Sequence, residues 1–229
     1  MAFFTMLAVS SAMSSNAEKD DPPTPPPEKI TLKTDTPPED IVRKRFLLAY
    51  QTAETADRKV EAVQMLQGAK EIETLRLLSG MLADRNEIVR STACHVMSTV
   101  SDPAGYLVKP LMGTLNDASK AVRIAAAEAL SKATIRADAI KALSFALMTL
   151  AGQKNRDGDS IQMLQAYDRA LENLTGLKCK ERDPRGISSF WMDYWKQHGD
   201  EVSAEDQKLA PKETPQNREG LTPDSFDKK

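Results

Sequence analysis

The chain has 229 residues and carries 31 Lys and Arg against 33 Asp and Glu, a formal net charge of −2. It holds no basic run with interleaved aromatics, which excludes a nucleic-acid binder that works through phosphate attraction. With two cysteines and two histidines and no CxxC or His/Cys spacing, a zinc site has no support, and no metal or other cofactor is expected.

Residues 1–17 open with a short apolar run, Ala2 to Val9, followed by small residues ending in Ser15-Asn16-Ala17, the pattern of a signal-peptidase site. Export to the periplasm or beyond is the expectation. No Lys or Arg precedes the apolar run, so a cytoplasmic chain whose true start lies upstream is the alternative. The run is too short to span a bilayer, and no membrane insertion is expected after cleavage. Residues 18–36 are rich in proline, for seven of the 13 prolines lie before residue 40, and the stretch has too little apolar surface to offset the entropy of ordering. It reads as a linker. From 200 to 229 the chain is polar without helical spacing and reads as a disordered tail.

Between these ends, 37–199 reads as one helical domain. Thr36-Pro37-Pro38-Glu39 has the form of a capping box, with a first helix starting near Pro37. The chain then repeats itself. Asp84-Arg85-Asn86-Glu87-Ile88-Val89-Arg90 matches Asp117-Ala118-Ser119-Lys120-Ala121-Val122-Arg123 at an offset of 33 residues, and at that offset Ala93 falls on Ala126 and Met97 on Leu130. Lys59, Ala62 and Leu66 form an earlier copy at offset 31. A later one at offset 41 places Ala170 and Leu171 on Ala129 and Leu130, its extra length lying in the polar Gly152–Asp159 insertion. A period in the thirties in helical material means stacked helix pairs. Leu107, Val108, Leu111, Met112 and Leu115 recur at three-and-four spacing, as do Val122, Ala126, Ala129 and Ala133 across the Asn116-Asp117 turn. The same reading gives four pairs in all.

After the last pair, Asp183-Pro184 begins a helix that Gly199 is expected to end, with Ile187, Phe190, Trp191 and Tyr194 on one face and Trp195 beside them. That aromatic face is expected to cap the open end of the stack, with a ligand platform as the less economical reading.

The run Leu107-Val108-Lys109-Pro110-Leu111 to Leu115-Asn116-Asp117, then Ala121-Val122-Arg123 and Ala125 to Leu130, resembles a HEAT repeat of the bacterial, phycobiliprotein-lyase-like type. The Leu-Thr-Gly turn at 174–176 and the aromatic helix are similar to the ends of exported bacterial HEAT proteins. The resemblance covers roughly 37 to 176 and is strongest from 70 to 134. It implies an all-α fold, a right-handed α-α superhelix, and a mid-helix proline, Pro110, that bends its helix. It also implies a ladder between successive repeats formed by Asp84, Arg90, Asp117 and Arg123, incomplete in the first and fourth copies.

No HExxH, Walker loop, GxSxG or GxGxxG occurs, and the chain reads as non-enzymatic. His95 reads as an exposed helix residue, and His198 as a helix C-terminal residue placed well against the dipole. Cys94 reads as a half-buried residue on a helix flank. Cys179, between Lys178 and Lys180, is the more reactive thiol on sequence; a disulfide between the two is the alternative to free thiols. Stacking aligns exposed positions of the second helices into two stripes, Gln64, His95, Glu128 and Arg169 beside Val60, Ser91, Ile124 and Gln165. If those helices line the concave side, as the resemblance implies, this surface with exposed Val60 and Ile124 binds a partner protein. The enzymatic alternative implied by the resemblance is a chromophore lyase or isomerase; a structural subunit of an envelope assembly is the third reading.

Overall fold

The computed structural model describes residues 38–153 and 158–209. The segments read as a signal (1–17) and a linker (18–36) lie outside the described residues, as do Thr36 and residues 210–229.

Nine helices account for the secondary structure of the described residues. Four antiparallel pairs follow one another: α1 (Glu39–Thr52) with α2 (Ala56–Gln64), α3 (Ile72–Met81) with α4 (Glu87–Met97), α5 (Val108–Thr114) with α6 (Lys120–Leu130), and α7 (Ala137–Ala151) with α8 (Gly158–Thr175). Second helices stack on second helices, α2 on α4, α4 on α6 and α6 on α8, while α7 lies against α5. This is an α-solenoid.

The stacking follows from side-chain size. The second helices bury small residues, Ala62, Ala93, Ala125, Ala126, Ala127 and Ala129, which let neighbouring backbones approach closely. The first helices bury Leu75, Leu78, Leu111, Leu143 and Leu147, which fill the space between layers. The turns carry their own signals: Asn86 Oδ1 accepts from Ile88 N–H at 2.8 Å to cap α4, and Thr55 caps α2 through Arg58 N–H. Gly176, at φ +74°, ends α8 in the left-handed conformation that a side chain would strain.

Three expectations change. Pro110 sits in the first turn of the short α5, where its missing N–H costs nothing, so it starts the helix rather than bending it. Glu39 does not complete a capping box at its own helix. Its two carboxylate oxygens accept from the backbone N–H groups of Lys70 and Glu71, at 3.0 and 2.9 Å, and so cap α3 in the next pair. The last helix, α9 (Pro184–Leu209), runs ten residues past Gly199 and takes in the first part of the stretch read as tail. Gly199 is a clearance residue: a Cβ there would come within 3.1 Å of the Trp195 ring. Beyond it, Val202 and Asp206 are buried, and Asp206 Oδ2 accepts from Ala137 N–H at 2.6 Å, capping α7.

Candidate functional site

Two sets of residues could carry function, a chain of polar contacts between repeats and the outward face of the second helices. In the first set, each turn Asp folds one oxygen back onto its own loop, Asp84 Oδ1 accepting from Asn86 N–H at 2.7 Å and Asp117 Oδ1 from Ser119 N–H at 2.8 Å. It also serves the preceding repeat. Arg90 donates from Nε and Nη2 to the two oxygens of Asp117, at 2.7 and 2.8 Å, while its Nη1 donates to the Asp84 carbonyl at 2.9 Å. Such a forked pair fixes two repeats in register. The Arg90 hydrogen bond holds the Asp117 carboxyl below its ordinary range although burial pushes the other way.

The pattern extends one repeat toward the N-terminus, where sequence comparison shows no complete pair. Lys59 Nζ lies 2.9 Å from Asp84 Oδ2, replacing the arginine, and the Tyr50 hydroxyl donates to the same carboxylate oxygen. Burial pushes Asp84 up, but hydrogen bonds from Tyr50, Asn86 N–H and Lys59 outweigh it and leave its pKa lowered. The same burial, with Asp84 beside it, pushes the Tyr50 phenol up. Tyr50 was missed because its partner lies 34 residues away, and no local spacing signals it. Arg123 ends the series: its Nη1 donates to the carbonyls of Asp117 and Ala118, and its Nε faces the Met163 sulfur at 3.2 Å.

On the outward face, Gln64, His95, Glu128, Gln165 and Arg169 are exposed, and His95 Nδ1 lies 3.8 Å from Glu128 Oε2 across α4 and α6. Ser91 is half-buried and donates to the Ile88 carbonyl. Val60 and Ile124 are not the exposed apolar residues expected; both are half-buried and pack against the core, because adjacent second helices close over them. The exposed apolar residues at helical spacing from this stripe are Ile88, 52% accessible and one turn before Ser91, and Ile161, 49% accessible and one turn before Gln165.

Cys94 is fully buried rather than half-buried, and burial pushes its thiol up to about 12. Cys179 is partly buried; burial and then the neighbouring carboxylates of Asp168, Glu181 and Glu172 push it up as well, so the flanking lysines do not activate it. Both are free thiols. His198 stands mid-helix, stacked on Tyr194 and 3.1 Å from Glu201, away from any helix end. Among the described residues, no group of three or more His, Cys, Asp or Glu is placed to hold a metal ion. No described helix is long and apolar enough to cross a membrane.

Of the aromatic cluster, Trp191 is fully buried, and Phe190, Tyr194 and Trp195 pack partly buried around it. Phe190 and Tyr194 meet Trp191 edge-on, with centroids 4.8 and 6.0 Å away. The Trp191 indole N–H donates to Asp168 Oδ1 at 2.6 Å, tying α9 to α8, while most of α9 lies along α7. In this position α9 packs on α7 as α7 packs on α5, in the place of a first helix.

Stacked helix pairs linked by an Asp and Arg at equivalent positions now have a counterpart among known families: residues 74–149 match the family model of HEAT repeats. Residues 74–149 carry HEAT repeats. The match spans the second and third pairs and α7, the stretch that holds the Arg90–Asp117 contact. A search of curated proteins returns no match to the chain.

Proposed function

We propose that the chain is a non-enzymatic scaffold that binds a partner protein on the exposed face of its second helices, α2, α4, α6 and α8, the concave side of the stack. The observation that carries this reading is the line of exposed polar side chains at equivalent positions of successive HEAT repeats, with His95 and Glu128 side by side and Ile88 exposed beside them. A rigid stack presents such positions at fixed separation, which is how repeat proteins bind extended surfaces. Gln64, His95, Glu128, Gln165 and Arg169 supply hydrogen bonds and charge of both signs, Ser91 a hydroxyl, and Ile88 an apolar anchor, with Val60 and Ile124 supporting from below.

The state of the thiols speaks against the lyase alternative, since a nucleophile would need a readily ionised sulfur and burial pushes both thiols up. Export directed by residues 1–17 is part of the proposal; N-terminal sequencing of the protein from its native cells would test it, with a mature chain starting at Glu18 expected.

The function is tested by affinity capture of the tagged protein from native cells with mass spectrometry of everything retained. A stoichiometric protein is expected, lost on Glu128→Lys and on Ile88→Asp, both surface changes that leave the core intact. A pigment, or a partner that ignores both substitutions, would sink the reading. Ile124→Asp is the weaker test because it also disturbs packing.

A further inference from the structure

Among the described residues the series of contacts between repeats stops at Arg123, and a cavity stands beside it. Arg90 finds both oxygens of Asp117 one repeat on. The position 41 residues beyond Asp117 is Gly158, which has no side chain, and the adjacent Asp159 is 3.1 Å from Lys120 instead. Among the described residues Arg123 has no carboxylate partner: it meets backbone carbonyls through one nitrogen, the Tyr167 hydroxyl, and at Nε a thioether, a weak acceptor for a charged donor. Beside it is a cavity of about 300 Å³, the volume of a small ligand site.

The chemistry of this cavity selects for a carboxylate. Arg123 is the one charged side chain among its described lining residues. The phenol of Tyr167 faces the same guanidinium; burial raises its pKa while the charge and hydrogen bond of Arg123 oppose the rise, so it stays a neutral donor. The side-chain amides of Asn116 and Gln153 line the rim, and among the described residues neither makes a side-chain hydrogen bond. Leu150 and Met163 supply an apolar wall for a short methylene stem. A planar guanidinium flanked by neutral donors and apolar walls matches a carboxylate on two or three carbons.

We propose that this cavity, between the third and fourth helix pairs and separate from the outward stripe, binds a carboxylate group, supplied either by a Glu or Asp side chain of a protein or by a small organic acid. The incoming group takes the place that Asp117 holds opposite Arg90. The experiment is calorimetric titration of the full chain with two probes, glutarate and the blocked peptide acetyl-Ala-Glu-Leu-amide, with glutaramide and the Gln peptide as uncharged controls. Saturable binding of at least one acid is expected, with the controls silent. Glutarate alone would identify the source as a free acid, and the peptide alone as a protein side chain. Arg123→Gln should weaken binding at least tenfold. Gln153→Glu, which leaves the hydrogen bonds of Arg123 to the turn intact, should weaken it similarly by placing a carboxylate on the rim. Circular dichroism of both variants confirms that they fold. If neither acid saturates, or if binding persists at full strength in either folded variant, the proposal is overturned.

Discussion

Arg90 and Asp117 are 14% and 12% accessible, so their pair is desolvated enough for loss of one partner to strand the other. Arg90→Ala should cost about 3 kcal/mol, read from the denaturant midpoint at unchanged slope. The pair also sets a pH dependence. The carboxyl of Asp117 titrates lower in the folded chain than in the unfolded one, so its contribution is complete above the unfolded value of about 4 and is lost as pH falls through the folded value. Urea unfolding at pH 6 and pH 3 should show a loss of stability that is smaller in Asp117→Asn; an identical loss would refute the assignment. Cys94 gives a second residue-level test. With its thiol fully buried and pushed up to about 12, an aromatic disulfide reagent at pH 8 should modify Cys179 in the native protein and Cys94 only after unfolding.

At the scale of elements, α9 packs along α7 with Trp191 fully buried, and truncation of that side chain to Ala should cost roughly 4 kcal/mol. A chain ending at Gly176 should expose the buried flank of α7 and aggregate or fray; equal solubility and equal thermal stability would remove the capping role. The helix pairs were legible in the sequence because the 33-residue offset carries a turn Asp, an Arg and small apolar residues together, and each is a local signal. The end of α9 was not. Gly199 has the identity of a helix stop, and only the position of the Trp195 ring shows that it serves clearance. The caps of α3 and α7 were equally hidden, since Glu39 and Asp206 belong to other layers, 31 and 69 residues from the N–H groups that they satisfy. The outward positions were legible as a repeated set, and His95 and Glu128, one repeat apart in that set, lie 3.8 Å from each other. Its apolar member was misplaced because half-burial of Ile124 depends on how closely α4, α6 and α8 approach, and spacing alone does not report distance between helices.

Across the described repeats, neighbours are held by small-residue stacking and by polar contacts, so stability is distributed along the stack. The polar contact has a direction. At the first two junctions a cation points forward and a carboxylate backward, Lys59 to Asp84 and then Arg90 to Asp117. The unit from Asp84 to Asn116 thus holds one half of each adjoining contact. A second copy of these residues spliced in after Asn116 would meet Arg90 with its own Asp and Asp117 with its own Arg, and no charge would be stranded. Such a lengthened chain should fold, with a proportionate gain in helical signal and an undiminished melting temperature. A copy cut between Asp84 and Arg90 and spliced out of step should not. The gene therefore has a seam at which duplication is silent to folding, and through which the span of the scaffold could lengthen without redesign of any contact.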